Sequence, residues 1–154
     1  MNYLKLFALV SLITLSSFSK PHEEKLVWLS WDEGYQKAVK NKKILLVDTY
    51  TEWCGWCKRM DRDTYTNAEV IKKINDYFIP VKFNPEIKNV VYKLDDQSLT
   101  PQQLYSQLSR GESTGYPTVY YIFTNKKSVF IDAGYKAPAD FLKILDMAIE
   151  ESKK

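Results

Sequence analysis

The sequence predicts an α/β fold in which helices cover both faces of one mixed β-sheet. The run Ile44 to Val47 is short and entirely apolar, which is typical of a strand buried on both faces. Helical segments and a second strand over 79–83 follow it, so the chain contains a β-α-β unit with parallel strands. Two strands separated by a short turn, over 118–123 and 128–131, then predict an antiparallel hairpin in the same sheet.

Local signals place the helices around these strands. Ser30-Trp31-Asp32-Glu33 has the form of a capping box and predicts a helix over 31–41. Thr66-Asn67-Ala68-Glu69 is a second start signal. The apolar stripe of the helix that it opens comprises Val70, Ile71, Ile74, Tyr77 and Phe78. The other predicted starts are Thr100-Pro101, for a short helix through Leu108, and Pro138, for a final amphipathic helix. Residues 85–98 carry no clear signal.

The composition is that of one globular domain. The chain has 154 residues, of which 45% are hydrophobic and 27% are charged, and its formal net charge is +3. This length suits a single compact core. The lysines are scattered between acidic residues, which indicates a mixed solvated surface rather than a nucleic-acid-binding face. We expect a monomer that needs no cofactor.

The N-terminal residues differ from the rest of the chain. Lys5 precedes an almost unbroken apolar run, Leu6 to Leu15, and Ser17-Phe18-Ser19 then places small residues before Lys20. This pattern is typical of a secretory signal peptide. An uncleaved membrane anchor is the alternative, but a span needs about 20 apolar residues and this run is shorter. We expect a signal peptide over 1–19, a flexible lead-in over 20–27 and a folded domain over 28–152, in a protein exported to the periplasm or secreted.

The two cysteines of the chain, Cys54 and Cys57, are separated by a glycine and a tryptophan. Cys54 follows the buried strand and precedes a helix, so its sulfur is expected at a helix N-terminus, where free amides and the macrodipole favour negative charge. That position lowers the pKa of a thiol and makes it a nucleophile. Cys57, one turn into the helix, is expected to be more buried and able to attack a mixed disulfide formed at Cys54.

Other uses of the cysteine pair agree less well with the sequence. A disulfide that closes so short a loop removes little entropy from the unfolded chain, so its structural benefit is small. A closed zinc site needs more ligands than two cysteines and the single histidine, His22, can supply. The same shortage disfavours cysteine–histidine catalysis of the protease type. We therefore expect no metal and interpret the pair as redox-active.

Three segments resemble thioredoxin-like proteins. The stretch "ILLVDTYTEWCGWCK" is similar to the family's active-site segment, which carries a hydrophobic strand, an aspartate and then W-C-x-x-C-K. "IPVKFN" is similar to the next strand of that fold, and "TGYPTVYYIF" to the strand that bears the family's cis-proline. The resemblance covers most of the chain from Trp28 to Ile149. It implies a thioredoxin-like three-layer sandwich and is strongest for exported bacterial members with a C-G-W-C centre.

The resemblance implies roles for three further residues. Asp48 shares a strand face with Leu46, so it is expected to be buried, and it matches the aspartate that takes a proton from the resolving cysteine, here Cys57. Its alternative is an aspartate that points into water from a strand end. Lys82 matches a lysine near that aspartate, or is a charge on an edge strand. Pro117 matches the cis-proline, although only about 5–6% of X-Pro bonds in folded proteins are cis.

The expected substrate-binding face lies around the cysteines. A cis bond would bring Tyr116 and Pro117 beside them and leave the Tyr116 backbone free to pair with an extended substrate segment. Trp53 is expected to shield the site, whereas Trp28 and Trp31 are expected in the core. The complete set of expected substrate-binding residues is Trp53, Gly55, Trp56, Tyr116 and Pro117.

These features predict an exported thiol–disulfide oxidoreductase, a protein-disulfide reductant that acts on protein or peptide thiols and disulfides and receives electrons from a membrane partner. Trp56 stands where many family members have proline, and the residues between the cysteines help to set reduction potentials of roughly −270 to −120 mV. An oxidase or isomerase of the same fold therefore stays open. So does a redox-idle binding module that holds a partner through residues 85–113.

Overall fold

A computed structural model describes residues 25–154, so the expected signal peptide, His22 and most of the expected lead-in lie outside the described residues. The elements, in chain order, are α1 (Trp31–Asn41), β1 (Ile44–Thr49), α2 (Gly55–Asp63), α3 (Ala68–Tyr77), β2 (Phe78–Phe83), β3 (Tyr92–Leu94), β4 (Gln97–Leu99), α4 (Pro101–Leu108), β5 (Thr118–Phe123), β6 (Ser128–Ala133) and α5 (Pro138–Lys153). Across this described part, no helix combines the length and apolar character that a membrane crossing requires.

The central sheet is mixed, as the sequence predicts. Its strand order is β2-β1-β5-β6. β1 pairs in parallel with β2, and the crossover between them contains α2 and α3. β1 pairs antiparallel with β5, which in turn pairs antiparallel with β6. The stretch without a clear sequence signal contains a separate hairpin of β3 and β4, in which Tyr92 lies opposite Leu99.

Helices cover both faces of the sheet, which confirms the three-layer architecture. All six residues of β1 are buried, and they alternate between the two layers: Leu46 faces one and Leu45 the other. The layer that contains Leu46 takes its helical side chains from α2, α3 and α5: Met60, Val70, Ile74, Phe141, Leu145, Ala148 and Ile149. The layer that contains Leu45 takes them from α1 and α4: Trp31, Ala38, Leu104 and Leu108.

The outer edge of β2 is covered by the segment before α1. The Leu29 amide donates to the Pro80 carbonyl at 3.0 Å, and the Lys82 amide donates to the Leu29 carbonyl at 3.3 Å. Proline is tolerated here because its missing amide belongs to this outer side of the strand, so no bond between β2 and β1 is lost. Leu26, although within the expected lead-in, packs against the core layer that contains Leu46.

Helix α3 begins within the predicted start signal. Its N-cap is Asn67, whose side-chain oxygen accepts the amides of Glu69 and Val70 at 3.0 and 3.2 Å. The predicted apolar stripe is wrong at its end, because the helix stops at Tyr77. Tyr77 is half exposed, and Phe78 is buried as the first residue of β2.

Candidate active site

Cys54 and Cys57 form a disulfide at the N-terminus of α2, with their Cα atoms 5.3 Å apart. Cys54 is the N-cap residue, and its sulfur accepts the backbone amide of Cys57 at 3.0 Å. The preceding turn is closed by the Cys54 amide, which donates to the Thr51 carbonyl at 3.1 Å. The sequence therefore placed the first sulfur correctly, at a helix end where amide donors face it.

Both cysteines are buried, whereas Gly55, the residue directly after Cys54, is open to solvent. Cys54 is 4% exposed and Cys57 is 2% exposed. Cys57 lies one turn before Met60 on α2, so it belongs to the face of this helix that packs on the sheet. Gly55 is exposed, and apart from its chain neighbours and the backbone of its own helix no atom lies within 4 Å of where its Cβ would be. The surface next to Cys54 is therefore open at Gly55.

The side chains of Asp48 and Lys82 form a hydrogen-bonded ion pair inside the protein. They are register partners on the parallel strands β1 and β2. The Lys82 Nζ donates to Asp48 Oδ2 at 2.5 Å, and it also donates to Asp61 Oδ1 on α2. Asp48 is buried, as the sequence predicts, and the hydroxyl of Tyr65 is close enough to interact with its carboxyl. The buried carboxyl thus has one ammonium and one hydroxyl beside it.

Burial sets the titration of this carboxyl. It raises the pKa of Asp48 above the ordinary aspartate value, against the opposing attraction of the Lys82 ammonium. Burial by itself lowers the pKa of Lys82, but the carboxylates of Asp48 and Asp61 outweigh it and raise that pKa. Lys82 therefore stays protonated, while Asp48 can change its protonation state closer to neutral pH than an exposed aspartate can.

An aromatic cluster lies on one side of the disulfide. The rings of Trp53 and Tyr116 meet edge to face, with their centres 5.8 Å apart, and Tyr116 lies 6.0 Å from Tyr105. The Trp53 Nε1 donates to both carboxylate oxygens of Glu86, at 3.2 and 3.1 Å. Trp53 is 68% exposed, and these contacts hold its ring in place on the surface. Burial raises the pKa of Tyr116 to about 12, so its hydroxyl is neutral at physiological pH.

A second aromatic cluster lies around Trp56. This ring is 55% exposed, and its centre is 5.5 Å from that of Tyr135. The Arg59 guanidinium lies over both rings, at 5.2 and 5.1 Å from their centres. The opening at Gly55 is thus flanked by two exposed tryptophans, each supported by a tyrosine and a charged side chain.

The peptide bond between Tyr116 and Pro117 is cis, as the resemblance implies. Pro117 is buried directly before β5, and Tyr116 reaches the first aromatic cluster through Trp53. Trp31 is fully buried, and Trp28 is partly buried against the core layer that contains Leu46. The structure therefore pairs Lys82 with Asp48, as the resemblance implies, and places Tyr116 against Trp53, the residue before Cys54.

Sequence reasoning missed several residues that complete the site. Asp61 is one of several charges on α2, and Glu86 and Tyr135 lie in segments without a periodic pattern. Nothing in the local sequence separates them from ordinary solvated residues. Among residues 25–154, no cluster of histidine, cysteine or acidic side chains is arranged to hold a metal ion.

A mixed sheet between two helical layers, with a cysteine pair at the N-terminus of the helix after its first strand, defines the thioredoxin-fold class. The family model Thioredox_DsbH, described as "Protein of unknown function, DUF255", matches residues 12–149. The chain belongs to this thioredoxin-like family.

Relatives of this chain include protein disulfide-isomerases. The protein disulfide-isomerase of Ricinus communis is 26% identical over 136 residues, which are 88% of this chain and 24% of that protein. Protein disulfide-isomerase A4 of Rattus norvegicus is 31% identical over 97 residues, which are 63% of this chain and 13% of that protein. An uncharacterized protein of Caenorhabditis elegans, B0495.5, is 32% identical over 68 residues, which are 44% of this chain and 9% of that protein. This chain therefore spans less than a quarter of each of these relatives.

Solved structures share the fold. A thioredoxin from Thermus thermophilus superposes with a TM-score of 0.64 at 17% identity, covering 83% of this chain and 90% of that one. A structure titled "DsbH Oxidoreductase" gives 0.62 at 16% identity, covering 86% and 90%. A putative disulphide-isomerase from Bacteroides thetaiotaomicron gives 0.61 at 23% identity, covering 84% and 97%.

Proposed function

We propose that this chain is an exported thiol–disulfide oxidoreductase that reduces disulfides in proteins or peptides. One observation carries the proposal: the sulfur of Cys54 lies at the start of α2, beside an opening at Gly55, and accepts the Cys57 amide. In the reduced protein, that amide and the helix dipole would stabilise a thiolate at Cys54, which is the reactive form of cysteine.

The reaction is a pair of exchange steps that transfers two electrons to the substrate. The Cys54 thiolate attacks one sulfur of a substrate disulfide, and the other substrate sulfur leaves as a thiolate. Cys57 then loses its proton and attacks the Cys54 sulfur, which breaks the mixed disulfide and releases the second substrate thiolate. The product is the Cys54–Cys57 disulfide, the state that this structure contains.

Asp48 is the proposed acceptor of the Cys57 proton. Its carboxyl is buried in the layer against which the inner face of α2 packs. Because burial raises its pKa, it binds a proton more firmly than an exposed aspartate does, which a general base near neutral pH requires. Lys82 keeps the charged form of Asp48 accessible despite its burial.

The two aromatic clusters are the proposed substrate-binding face. The exposed rings of Trp53 and Trp56 flank the opening at Gly55 and offer apolar area to a substrate segment. Tyr116 and Pro117 lie next to this face, where an extended peptide can pair with the Tyr116 backbone. The proposed substrates are therefore peptide segments around an accessible disulfide.

Export is proposed from the N-terminal sequence. Residues 1–19 have the pattern of a signal peptide, so the mature protein is expected to start near Lys20 in the periplasm or outside the cell. A membrane partner would then return electrons to the Cys54–Cys57 disulfide. Cell fractionation tests export, because recovery of the protein in the cytoplasmic fraction contradicts it, and N-terminal sequencing of the envelope form tests cleavage near Lys20.

Reduction of insulin by dithiothreitol, with and without the protein, tests the activity. We expect the wild-type chain to accelerate precipitation of the insulin B chain, and both Cys54→Ala and Cys57→Ala to abolish this acceleration. Cys57→Ala should in addition accumulate a mixed disulfide on Cys54, detectable by mass spectrometry, because the resolving thiol is gone. Absence of acceleration by the wild-type chain would favour the alternative of a redox-idle binding module.

The direction of electron flow has a separate measurement. The similarity to protein disulfide-isomerases favours an isomerase or oxidase as the second candidate. A reductant is expected to have a reduction potential of about −270 mV, whereas that of the isomerases is about −180 mV. Equilibration of the Cys54–Cys57 pair with glutathione buffers gives this value. A potential more oxidising than the isomerases would sink the reductant proposal and leave the oxidoreductase class intact.

A further inference from the structure

Lys82 is shared by two carboxylates that differ in exposure. Its ammonium donates to Asp48 on β1 and to Asp61 on α2. The side chain of Asp48 is 2% exposed and that of Asp61 is 47% exposed, with Lys82 at 19% between them. One cation thus connects the carboxyl inside the protein with a carboxyl at its surface.

Aromatic rings hold this ammonium in place. The Nζ of Lys82 lies 4.7 Å from the ring centre of Trp28, 5.1 Å from that of Tyr65 and 5.4 Å from that of Tyr50. Each ring face attracts a cation, so these contacts add to the hydrogen bonds by which the two carboxylates hold Lys82.

A surface cavity of about 490 Å³ lies beside Asp61 and Lys82. Trp28 and Tyr65 also line it, and Asp61 is the exposed acid on its wall. Asp48 does not line the cavity, so Lys82 is the group that connects it to this space.

We propose that Asp61 is a positioning residue for proton transfer at Asp48: it shares the Lys82 ammonium with the buried carboxylate and so limits how strongly Lys82 stabilises the charged form of Asp48. This inference rests on the proposed function. With Asp61 charged, Lys82 divides its attraction between two carboxylates, so Asp48 remains a stronger base. Without that charge, Lys82 pairs with Asp48 alone and stabilises its ionised form more strongly.

The electrostatics of the site agree with this geometry. Burial is the largest cause of the raised pKa of Asp48, and the negative charge of Asp61 adds to it. The same charge contributes to the raised pKa of Lys82. The titratable and charged groups that face this site, from the elements packed around it, are Lys25, Tyr50, Asp61, Tyr65, Lys82 and Tyr121. Of these, Asp61 combines a direct bond to Lys82 with exposure to solvent.

The test compares Asp61→Asn with Asp61→Glu and with Asp63→Asn. Asp63 is the matched control, because it lies on the same helix and pairs with Arg59 and Arg62 instead of Lys82. The first measurement follows the ¹³C signal of the Asp48 carboxyl against pH by NMR, which requires no activity. We expect its midpoint to move to lower pH in Asp61→Asn, and to stay at the wild-type position in Asp61→Glu and Asp63→Asn.

The second measurement is the pH profile of insulin reduction. In Asp61→Asn, its acid limb should shift to lower pH and its maximum should fall roughly two- to five-fold, because a weaker base accepts the Cys57 proton less readily. An unchanged Asp48 midpoint in Asp61→Asn, or an equal shift in Asp61→Glu, overturns the inference. A wild-type chain without activity overturns the proposed function instead, while the NMR result still decides the role of Asp61 toward Asp48.

Discussion

Asp48 is a carboxyl group in a layer that is otherwise built from apolar side chains. It sits in β1 on the same face as Ile44 and Leu46, and its charge is balanced only by Lys82. Burial raises its pKa, so the folded protein binds this proton more tightly than the unfolded chain does. By proton linkage, the free energy of unfolding falls as the pH rises from 3.8, the pKa of this carboxyl in the unfolded chain, through its raised pKa in the folded protein.

Asp48→Asn should remove this pH dependence, because an amide does not ionise. We expect the difference in free energy of unfolding, variant minus wild type, to increase between pH 4 and pH 8. The total increase should be about 1.4 kcal/mol for each unit by which folding raises the pKa of Asp48. Denaturant unfolding at a series of pH values measures it. Asp146→Asn is the control, since that carboxylate is largely exposed on α5. A difference that is flat with pH, or that declines, would contradict the role of burial at Asp48.

Helix α1 lies close to the sheet because residue 34 has no side chain. A Cβ on Gly34 would lie 2.1 Å from Cγ2 of Val81, a distance at which one of the two must move. Val81 is buried in β2, and Trp31 and Ala38 of α1 are buried in the same layer. The glycine therefore sets the separation between α1 and the strand that carries Lys82.

Gly34→Ala should destabilise the protein although alanine is the better helix former. The gain in helix propensity is about 1 kcal/mol, and the forced overpacking costs roughly 1–3 kcal/mol, so the net change is a loss. Gly55→Ala serves as the matched variant, because its Cβ would meet no atom within 4 Å. Urea unfolding should give a lower midpoint for Gly34→Ala and an equal or higher one for Gly55→Ala. Equal midpoints for both variants would show that α1 can move away from the sheet freely.

The two core layers share one sheet, which couples them. Leu46 and Leu45 are neighbours in β1 but pack into opposite layers, as do Tyr121 and Tyr120 in β5. Neither helical layer can therefore separate without exposing strand residues that the other layer also needs. Small domains with such a shared core unfold in one cooperative transition.

Leu145→Ala and Leu104→Ala, one in each layer, should destabilise the whole domain alike. Both leucines are fully buried, so each truncation should lower the free energy of unfolding by about 2–5 kcal/mol. Tryptophan fluorescence reports on packing in both layers, because Trp31 is buried in the layer of Leu104 and Trp28 packs against the other. Its transition should coincide with that of far-ultraviolet circular dichroism in both variants. Separate transitions for the two probes would mean that the layers unfold independently.

Much of this architecture can be predicted from local patterns. Some signals act only on neighbouring residues, so the sequence alone predicts them. They are the apolar run of β1, the caps at Ser30 and Thr100, and the turn before β6. The position of Cys54 at a helix start follows in the same way, since a buried strand ends just before it. The pairing of Asp48 with Lys82 and the cis bond before Pro117 were implied only by the family resemblance.

Contacts between residues distant along the chain could not be predicted. The hairpin of β3 and β4 is too short to carry a periodic signal. Tyr135 supports Trp56, and Glu86 holds Trp53, because the fold brings separate loops to the two sides of the disulfide. The sharing of Lys82 by Asp61 depends on the angle at which α2 crosses β2. Local propensity dictates which segments become helix or strand, whereas charged side chains find their partners only after packing has set the distances between those segments.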